Sequence, residues 1–108
     1  MNKNKFIQKC KDSGKFNNFQ IQEICWGFED GLTMEQVEFL AKPKFDENQM
    51  CQIRYGFEEG LTMEEVKLYA EPKFNDKQMF EIRKFIIKNK NLSINTLKFL
   101  IQLDIGGL

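Results

Sequence analysis

The chain has 108 residues, of which 42% are hydrophobic and 30% are charged, and its 16 basic and 16 acidic side chains give no net charge. Eleven phenylalanines supply enough bulky apolar material for a core, so the composition excludes a disordered chain, and the length suits one domain, residues 1–108. The sequence has no histidine, no CxxC pair and no phosphate-binding glycine motif. We therefore predict a protein that is not an enzyme and that binds no cofactor and no metal.

The start of the chain, MNKNKFIQKCKDSG, is polar and basic rather than apolar. The longest apolar runs elsewhere span only a few residues, which is too short for a membrane helix. We expect a cytoplasmic protein that makes no membrane contact, in which Cys10, Cys25 and Cys51 are reduced thiols that serve packing.

A leading helix is predicted over Lys3–Lys11, and a 29-residue repeat follows it. The first copy contains WGFEDGLTMEQVEFLAKPKF from Trp26, and the second contains YGFEEGLTMEEVKLYAEPKF from Tyr55. A third, degenerate copy ends with NLSINTLKFLI from Asn91. The repeat divides the domain into four parts: an N-terminal cap (1–15), copy 1 (16–44), copy 2 (45–73) and copy 3 with a degenerate C-terminal cap (74–108).

Each copy is predicted to begin with a longer helix, which we call helix A. It follows Asn17, Asp46 or Asn75, and a glutamine three residues later completes a capping box. A phenylalanine before each of these caps and an apolar residue in the next turn form a hydrophobic staple. Gly31 and Gly60 suit the left-handed position that ends helix A, and copy 3 lacks this glycine, so its helix A is expected to be longer.

A shorter helix B is predicted directly after helix A. Thr33 and Thr62 cap it in copies 1 and 2, where it runs to about Ala41 and Ala70 before a proline stops it. In copy 3 the segment 91–103 supplies a closing helix. A unit of two short helices cannot bury its apolar face alone, whereas stacked units can. We therefore predict an all-α fold, a short α-solenoid of about 2.5 helix-turn-helix repeats with N- and C-terminal cap helices.

Two glycines, Gly27 and Gly56, fall at equivalent positions in the middle of helix A. Glycine in a helix interior costs roughly 1 kcal/mol relative to alanine, so its presence needs a reason. We expect a neighbouring helix to approach closely at these positions, and the alternative is close approach of a ligand.

The string AKPKFDENQMCQIRYGFEEGLTMEEV, which joins copies 1 and 2, is similar to tandem repeats of the AKPxFxxxQMxxIRxGFExGL type. Such repeats occur in bacterial proteins of no settled activity, often from gut anaerobes and their mobile elements. The resemblance covers residues 16–88 and implies a helical repeat fold without implying an activity. Copy 1 departs from the pattern at Cys25, which stands where copy 2 has Arg54.

The charge is unevenly distributed along the chain. Residues 1–19 contain five basic and one acidic residue, residues 20–76 contain five and thirteen, and residues 77–108 contain six and two. Many of the central acids lie where helices join, and we expect stacking of the copies to align them as an acidic ridge. This ridge is either a solvated face that keeps the repeat soluble or a surface that binds a basic partner. The acidic ridge consists of Glu29, Asp30, Glu35, Glu58, Glu59, Glu64 and Glu65.

A second candidate surface follows from equivalent positions of helix A. Trp26, Tyr55 and Lys84 share one position, and Arg54 and Arg83 share the position before it. Together these five residues form an aromatic/basic ladder. Aromatic and arginine side chains in register are typical of protein-binding surfaces, and the alternative is that the rings pack between successive A helices.

From these patterns we predict a non-catalytic protein–protein interaction module that presents a repeat surface to a protein partner. The alternative is a small phage or mobile-element inhibitor of a host nucleic-acid-directed defence enzyme, comparable to an anti-CRISPR protein. Such an inhibitor would use the acidic ridge to bind a basic nucleic-acid-binding protein. Direct nucleic-acid binding is not expected because the domain is not basic, and we expect a monomer or a weak homo-oligomer.

Overall fold

A computed structural model of the chain describes residues 1–104, and the last four residues of the predicted copy 3, 105–108, lie outside the described part. Over residues 1–104 the chain forms α-helices and no strand, which confirms the prediction of an all-α protein. None of these helices has both the length and the apolar character needed to cross a membrane. The helices are α1 (Lys3–Ser13), α2 (Asn18–Glu29), α3 (Met34–Leu40), α4 (Glu47–Glu58), α5 (Met63–Lys67), α6 (Asp76–Lys88) and α7 (Ile94–Asp104).

The beginnings of the helices agree with the predicted caps. At the start of α2 the Asn17 side chain accepts from the Gln20 backbone N–H at 2.8 Å, and the Gln20 side chain accepts from the Asn17 backbone N–H at 2.8 Å. The same reciprocal pair opens α4 and α6, and α3 and α5 open with threonine boxes at Thr33 and Thr62. Each box satisfies two backbone donors that a helix start otherwise leaves unpaired.

The ends of α2 and α4 agree with the predicted glycine turns. Gly31 has φ +92° and Gly60 has φ +89°. In copy 1 the Leu32 N–H donates to the Gly27 carbonyl at 3.0 Å and the Gly31 N–H donates to the Phe28 carbonyl at 3.1 Å, which is the Schellman pattern. Helix α6 lacks this glycine and has 13 residues where α2 and α4 have 12, so the expected extension is a single residue.

Helices α2, α4 and α6, which are helix A of the three copies, lie side by side in that order, and α1 packs against α2. Ile24, Ile53 and Ile82 occupy equivalent positions 29 residues apart on these helices, and all three are fully buried. Val37 and Val66 repeat in the same way on α3 and α5. The core therefore follows the period of the sequence.

The capping-box glutamines of α2 and α4 have a second role between copies. The Gln20 side-chain N–H donates to the Phe45 carbonyl at 2.7 Å, and the Gln49 side-chain N–H donates to the Phe74 carbonyl at 2.7 Å. Both glutamines are buried, so these bonds are shielded from water. One side chain thus caps its own helix and fixes the position of the next copy.

Close helix approach accounts for the mid-helix glycines. A Cβ atom on Gly27 would lie 3.2 Å from a Val37 methyl group, and one on Gly56 would lie 2.1 Å from the Tyr69 hydroxyl oxygen. Tyr69 is fully buried, and its hydroxyl donates to the Gln52 carbonyl at 2.7 Å. At both positions the close neighbour belongs to the chain itself.

Candidate functional site

Arg54, a member of the predicted ladder, lies on α4 below the surface rather than on it. Its Nε donates to Glu23 Oε1 at 2.8 Å, and its Nη1 donates to Asp30 Oδ2 at 3.0 Å and to Glu58 Oε2 at 2.9 Å. Burial disfavours the charged guanidinium, but the hydrogen bonds to Glu23 and Glu58 and the negative charge of Glu23 outweigh it and raise the pKa of Arg54. Since Glu23 and Asp30 belong to copy 1, Arg54 connects copy 2 to copy 1.

Arg83 repeats this arrangement one copy later. Its Nε and Nη2 donate to Gln52 Oε1 at 3.3 Å and 3.1 Å, and its Nη1 donates to Glu59. Gln52 and Glu59 stand 29 residues after Glu23 and Asp30, so the acceptors have the same spacing in both copies. Arg83 is also buried, and it connects copy 3 to copy 2.

Aromatic rings alternate with the two buried arginines. The Arg54 Cζ lies 5.5 Å from the centroid of the Trp26 ring and 4.9 Å from that of the Tyr55 ring. The Arg83 Cζ lies 5.5 Å from the Tyr55 ring and 5.3 Å from the Phe80 ring. These distances fall within the range of cation–π attraction, so each guanidinium holds two rings in place.

The three rings remain partly open to solvent. Trp26 is 42% exposed, Tyr55 is 38% exposed and Phe80 is 44% exposed. Each ring thus lies against at least one buried arginine and keeps part of its surface exposed, and the binding role of the ladder stays a prediction. We call these three rings the ring surface.

The sequence analysis missed Phe80 and assigned its place to Lys84. Lys84 is half-buried, with its Nζ 3.7 Å from Glu59 Oε2 and 5.5 Å from the Phe80 ring. Phe80 lies one helical turn before Lys84 and so shares its face of α6. That spacing is the signal in the sequence that could have identified Phe80.

Four members of the predicted acidic ridge make ion pairs with other parts of the chain, although Asp30, Glu58 and Glu59 remain exposed. Asp30 and Glu58 pair with Arg54, and Glu59 pairs with Arg83 and Lys84. Glu65 is buried, completes the capping box of α5 and accepts from Lys90 Nζ at 2.7 Å. These four carboxylates therefore contribute to contacts within the chain.

Two of these engaged acids have shifted pKa values. Burial raises the pKa of Glu58, and a hydrogen bond with Asp30 adds to the rise that Arg54 opposes. Burial alone would raise the pKa of Glu65, but hydrogen bonds from Lys90 and from the Thr62 backbone outweigh it and lower the pKa.

The other three members of the ridge are exposed. Glu29, Glu35 and Glu64 have no ion pair within residues 1–104. Among the described residues no group of three or more cysteine, aspartate or glutamate side chains is arranged to hold a metal ion.

No protein-family model, no curated protein and no solved structure matches this chain. The resemblance to AKPxFxxxQMxxIRxGFExGL repeats therefore stays a prediction. The functional proposal depends on the geometry of the chain.

Proposed function

We propose that the chain is a non-catalytic protein–protein interaction module and that the ring surface contacts its protein partner. The observation that carries this proposal is the exposure of Trp26, Tyr55 and Phe80 on three neighbouring helices, each ring resting on a buried arginine. Aromatic side chains supply much of the binding energy of protein interfaces because they combine a large contact area with few rotatable bonds.

The buried arginines support this proposal because they orient the rings before binding. Arg54 and Arg83 each donate to more than one acceptor, so their guanidinium planes are fixed. Rings stacked on fixed planes lose little conformational freedom when a partner binds. A partner would therefore meet a rigid surface.

We also propose that the copies form an α-solenoid with α1 and the closing helix α7 as caps. The side-by-side order of α2, α4 and α6 supports this, as do the arginine and glutamine bonds that recur at the repeat period. The extents of the chain, 41 × 25 × 16 Å, suit a short stack. A stack places equivalent positions in a row, which is how repeat proteins build binding surfaces.

The test of the ring surface is a capture experiment with matched variants. Immobilised wild-type chain, a Trp26→Ala, Tyr55→Ala, Phe80→Ala variant and a Phe99→Ala control are exposed to lysate of the organism that encodes the chain. Phe99 is 60% exposed on α7, so its removal changes apolar exposure outside the ring surface. We expect mass spectrometry to find a protein that the wild type and the control retain and the ring variant loses. Equal retention by all three chains would reject the ring surface.

The anti-CRISPR-like inhibitor is our second proposal. It is supported by Glu29, Glu35 and Glu64, whose exposed carboxylates carry no ion pair within residues 1–104 and face solvent where helices join. A Glu29→Gln, Glu35→Gln, Glu64→Gln variant tests it without disturbing the carboxylates that hold the arginines. Loss of a basic, nucleic-acid-binding partner from this variant but not from the ring variant would favour the inhibitor.

A further inference from the structure

A groove of about 300 Å³ lies between α5, the turn that follows it and α7, on a different part of the molecule from the ring surface. Its floor is apolar, with Phe74 and Ile101 buried and Ile94 half-buried. Its rim carries the exposed side chains of Lys67 and Lys98. The groove therefore combines an apolar floor with a basic edge.

Basic side chains outnumber acidic ones in the lining of this groove. Lys73, a third lysine of the rim, has its Nζ 3.7 Å from Glu71 Oε2, and both side chains are largely exposed. Lys67 and Lys98 make no ion pair with the side chains of residues 1–103. The lining of the groove thus contains three lysines and a single carboxylate, Glu71.

The preceding copy has a corresponding groove with a different charge. The groove of about 240 Å³ between α3 and α5 is lined by Glu35 and Glu38 as well as by Lys42 and Lys67. Lys67 stands 29 residues after Glu38 and Glu71 stands 29 residues after Lys42, so these two exchanges cancel. The α5–α7 groove is the more basic because three lysines and one glutamate line it, whereas two lysines and two glutamates line the earlier groove.

The wall of the groove is formed where α5 ends early. Helix α5 has five residues while α3 has seven, and the Leu68 and Tyr69 N–H groups donate to carbonyls three residues back, at 3.1 Å each. In this tighter 3₁₀ turn Tyr69 is buried, as the equivalent Leu40 is at the end of α3, and Leu68 is half-buried on the groove wall.

We propose that the α5–α7 groove binds a small amphipathic anion of the medium-chain carboxylate class. The aliphatic chain would lie on Phe74, Ile94 and Ile101, and the carboxylate would accept charge-assisted hydrogen bonds from Lys67 and Lys98. The volume lies at the lower end of ligand pockets, roughly 300–1,000 Å³, which suits a chain of about ten carbons. The rim has the charge that complements a carboxylate and opposes a cationic head group.

The test uses decanoate below its micelle concentration and the full chain labelled at isoleucine methyl groups. We expect saturable shifts at Ile94 and Ile101 on titration, and no saturable shift with decyltrimethylammonium, which has the same tail and the opposite charge. A Lys67→Gln, Lys98→Gln variant should bind decanoate at least tenfold more weakly. A Lys42→Gln, Lys77→Gln variant, which also removes two lysines, should bind as the wild type does.

Three results would overturn the proposal. The first is no saturable shift at the groove, and the second is equal affinity in the two lysine variants. The third is equal binding of decanoate and decyltrimethylammonium, which would show that only apolar contact matters. Because the lysines are exposed, circular dichroism is expected to show an unchanged fold in both variants. None of these outcomes depends on whether the ring surface binds a protein.

Discussion

Replacing Gly56 by alanine tests the closest approach in the fold. The new Cβ would lie 2.1 Å from the Tyr69 hydroxyl oxygen, far inside van der Waals contact. Tyr69 cannot move away freely, because it is fully buried and its hydroxyl donates to the Gln52 carbonyl at 2.7 Å. Either the tyrosine ring shifts and loses this bond, or α4 moves relative to α5.

The expected cost of Gly56→Ala follows from three opposing effects. Alanine gains about 1 kcal/mol over glycine in a helix interior. Overpacking a core costs about 1–3 kcal/mol, and a buried hydroxyl without its acceptor costs about 1–3 kcal/mol. The net destabilisation is therefore about 1–5 kcal/mol. Gly27→Ala is the matched control, since its nearest neighbour is a Val37 methyl at 3.2 Å and its net effect should stay within about 1 kcal/mol.

Urea unfolding of four chains measures these free energies: wild type, Gly27→Ala, Gly56→Ala and the double variant Gly56→Ala, Tyr69→Phe. Removing the hydroxyl leaves the nearest contacts of the new Cβ at 3.2 Å and 3.3 Å, so the double variant should be more stable than the sum of its single changes predicts. The melting temperature should fall by about 4–8 °C for each kcal/mol of destabilisation in a domain near this size.

The steric reasoning would be refuted if Gly56→Ala proved as mild as Gly27→Ala. It would also fail if the Gly56 and Tyr69 changes were additive, because two groups in contact must show a coupling energy.

Three further predictions concern charge and backbone conformation. Arg54→Met should destabilise the chain by about 3–5 kcal/mol in urea unfolding, because a buried glutamate loses its partner, and Arg83→Met should cost less because one of its acceptors is a neutral glutamine. Because the pKa of Glu65 is lower in the folded chain than in the unfolded chain, its carboxylate stabilises the fold at neutral pH, and this stabilisation is lost as the pH falls through the folded pKa. Lys90→Gln removes one cause of the lowered pKa, so the free energy of unfolding should fall less between about pH 5.5 and pH 3 in this variant than in the wild type. Gly60→Ala should cost about 1–2 kcal/mol because φ is +89°, and circular dichroism melting should show Gly60→Asn to be milder.

Each of these predictions has an outcome that contradicts it. Equal losses in the two arginine variants would mean that the charge of the acceptor does not matter. An unchanged pH profile in Lys90→Gln would mean that the lysine does not lower the pKa of Glu65. If Gly60→Ala and Gly60→Asn melted together, the left-handed turn would not be the source of the cost.

Much of the local structure could be predicted because both partners of each interaction lie within a few residues. A cap and its glutamine are three positions apart, as at Asp46 and Gln49, and the sequence alone identifies them. The bounds of the shorter helices were less certain. Helix α5 ends at Lys67 rather than at Ala70, because the Leu68 and Tyr69 N–H groups donate to carbonyls three residues back instead of four.

The burial of Arg54 and Arg83 could not be predicted from local pattern. The acceptors of Arg54 on copy 1, Glu23 and Asp30, lie 31 and 24 residues before it. The position of an arginine on the helical wheel does not show whether its side chain is buried, because that depends on where the neighbouring helix packs. The same reason removes Glu65 from the exposed acidic ridge, since Lys90 lies 25 residues after it.

Because Arg54 and Arg83 bind acceptors on the preceding copy, the bonds between copies limit how the chain can change length. Arg54 and Arg83 each find acceptors on the copy before their own, and Gln20 and Gln49 each find a carbonyl on the copy after their own. A tandem duplication of residues 45–73 would give the new arginine the same acceptors that Arg83 has now, and would give the new glutamine the carbonyl of Phe74. Insertion of a whole 29-residue copy therefore requires no compensating substitution. Insertion or deletion of part of a copy would separate the arginine and glutamine donors from their acceptors.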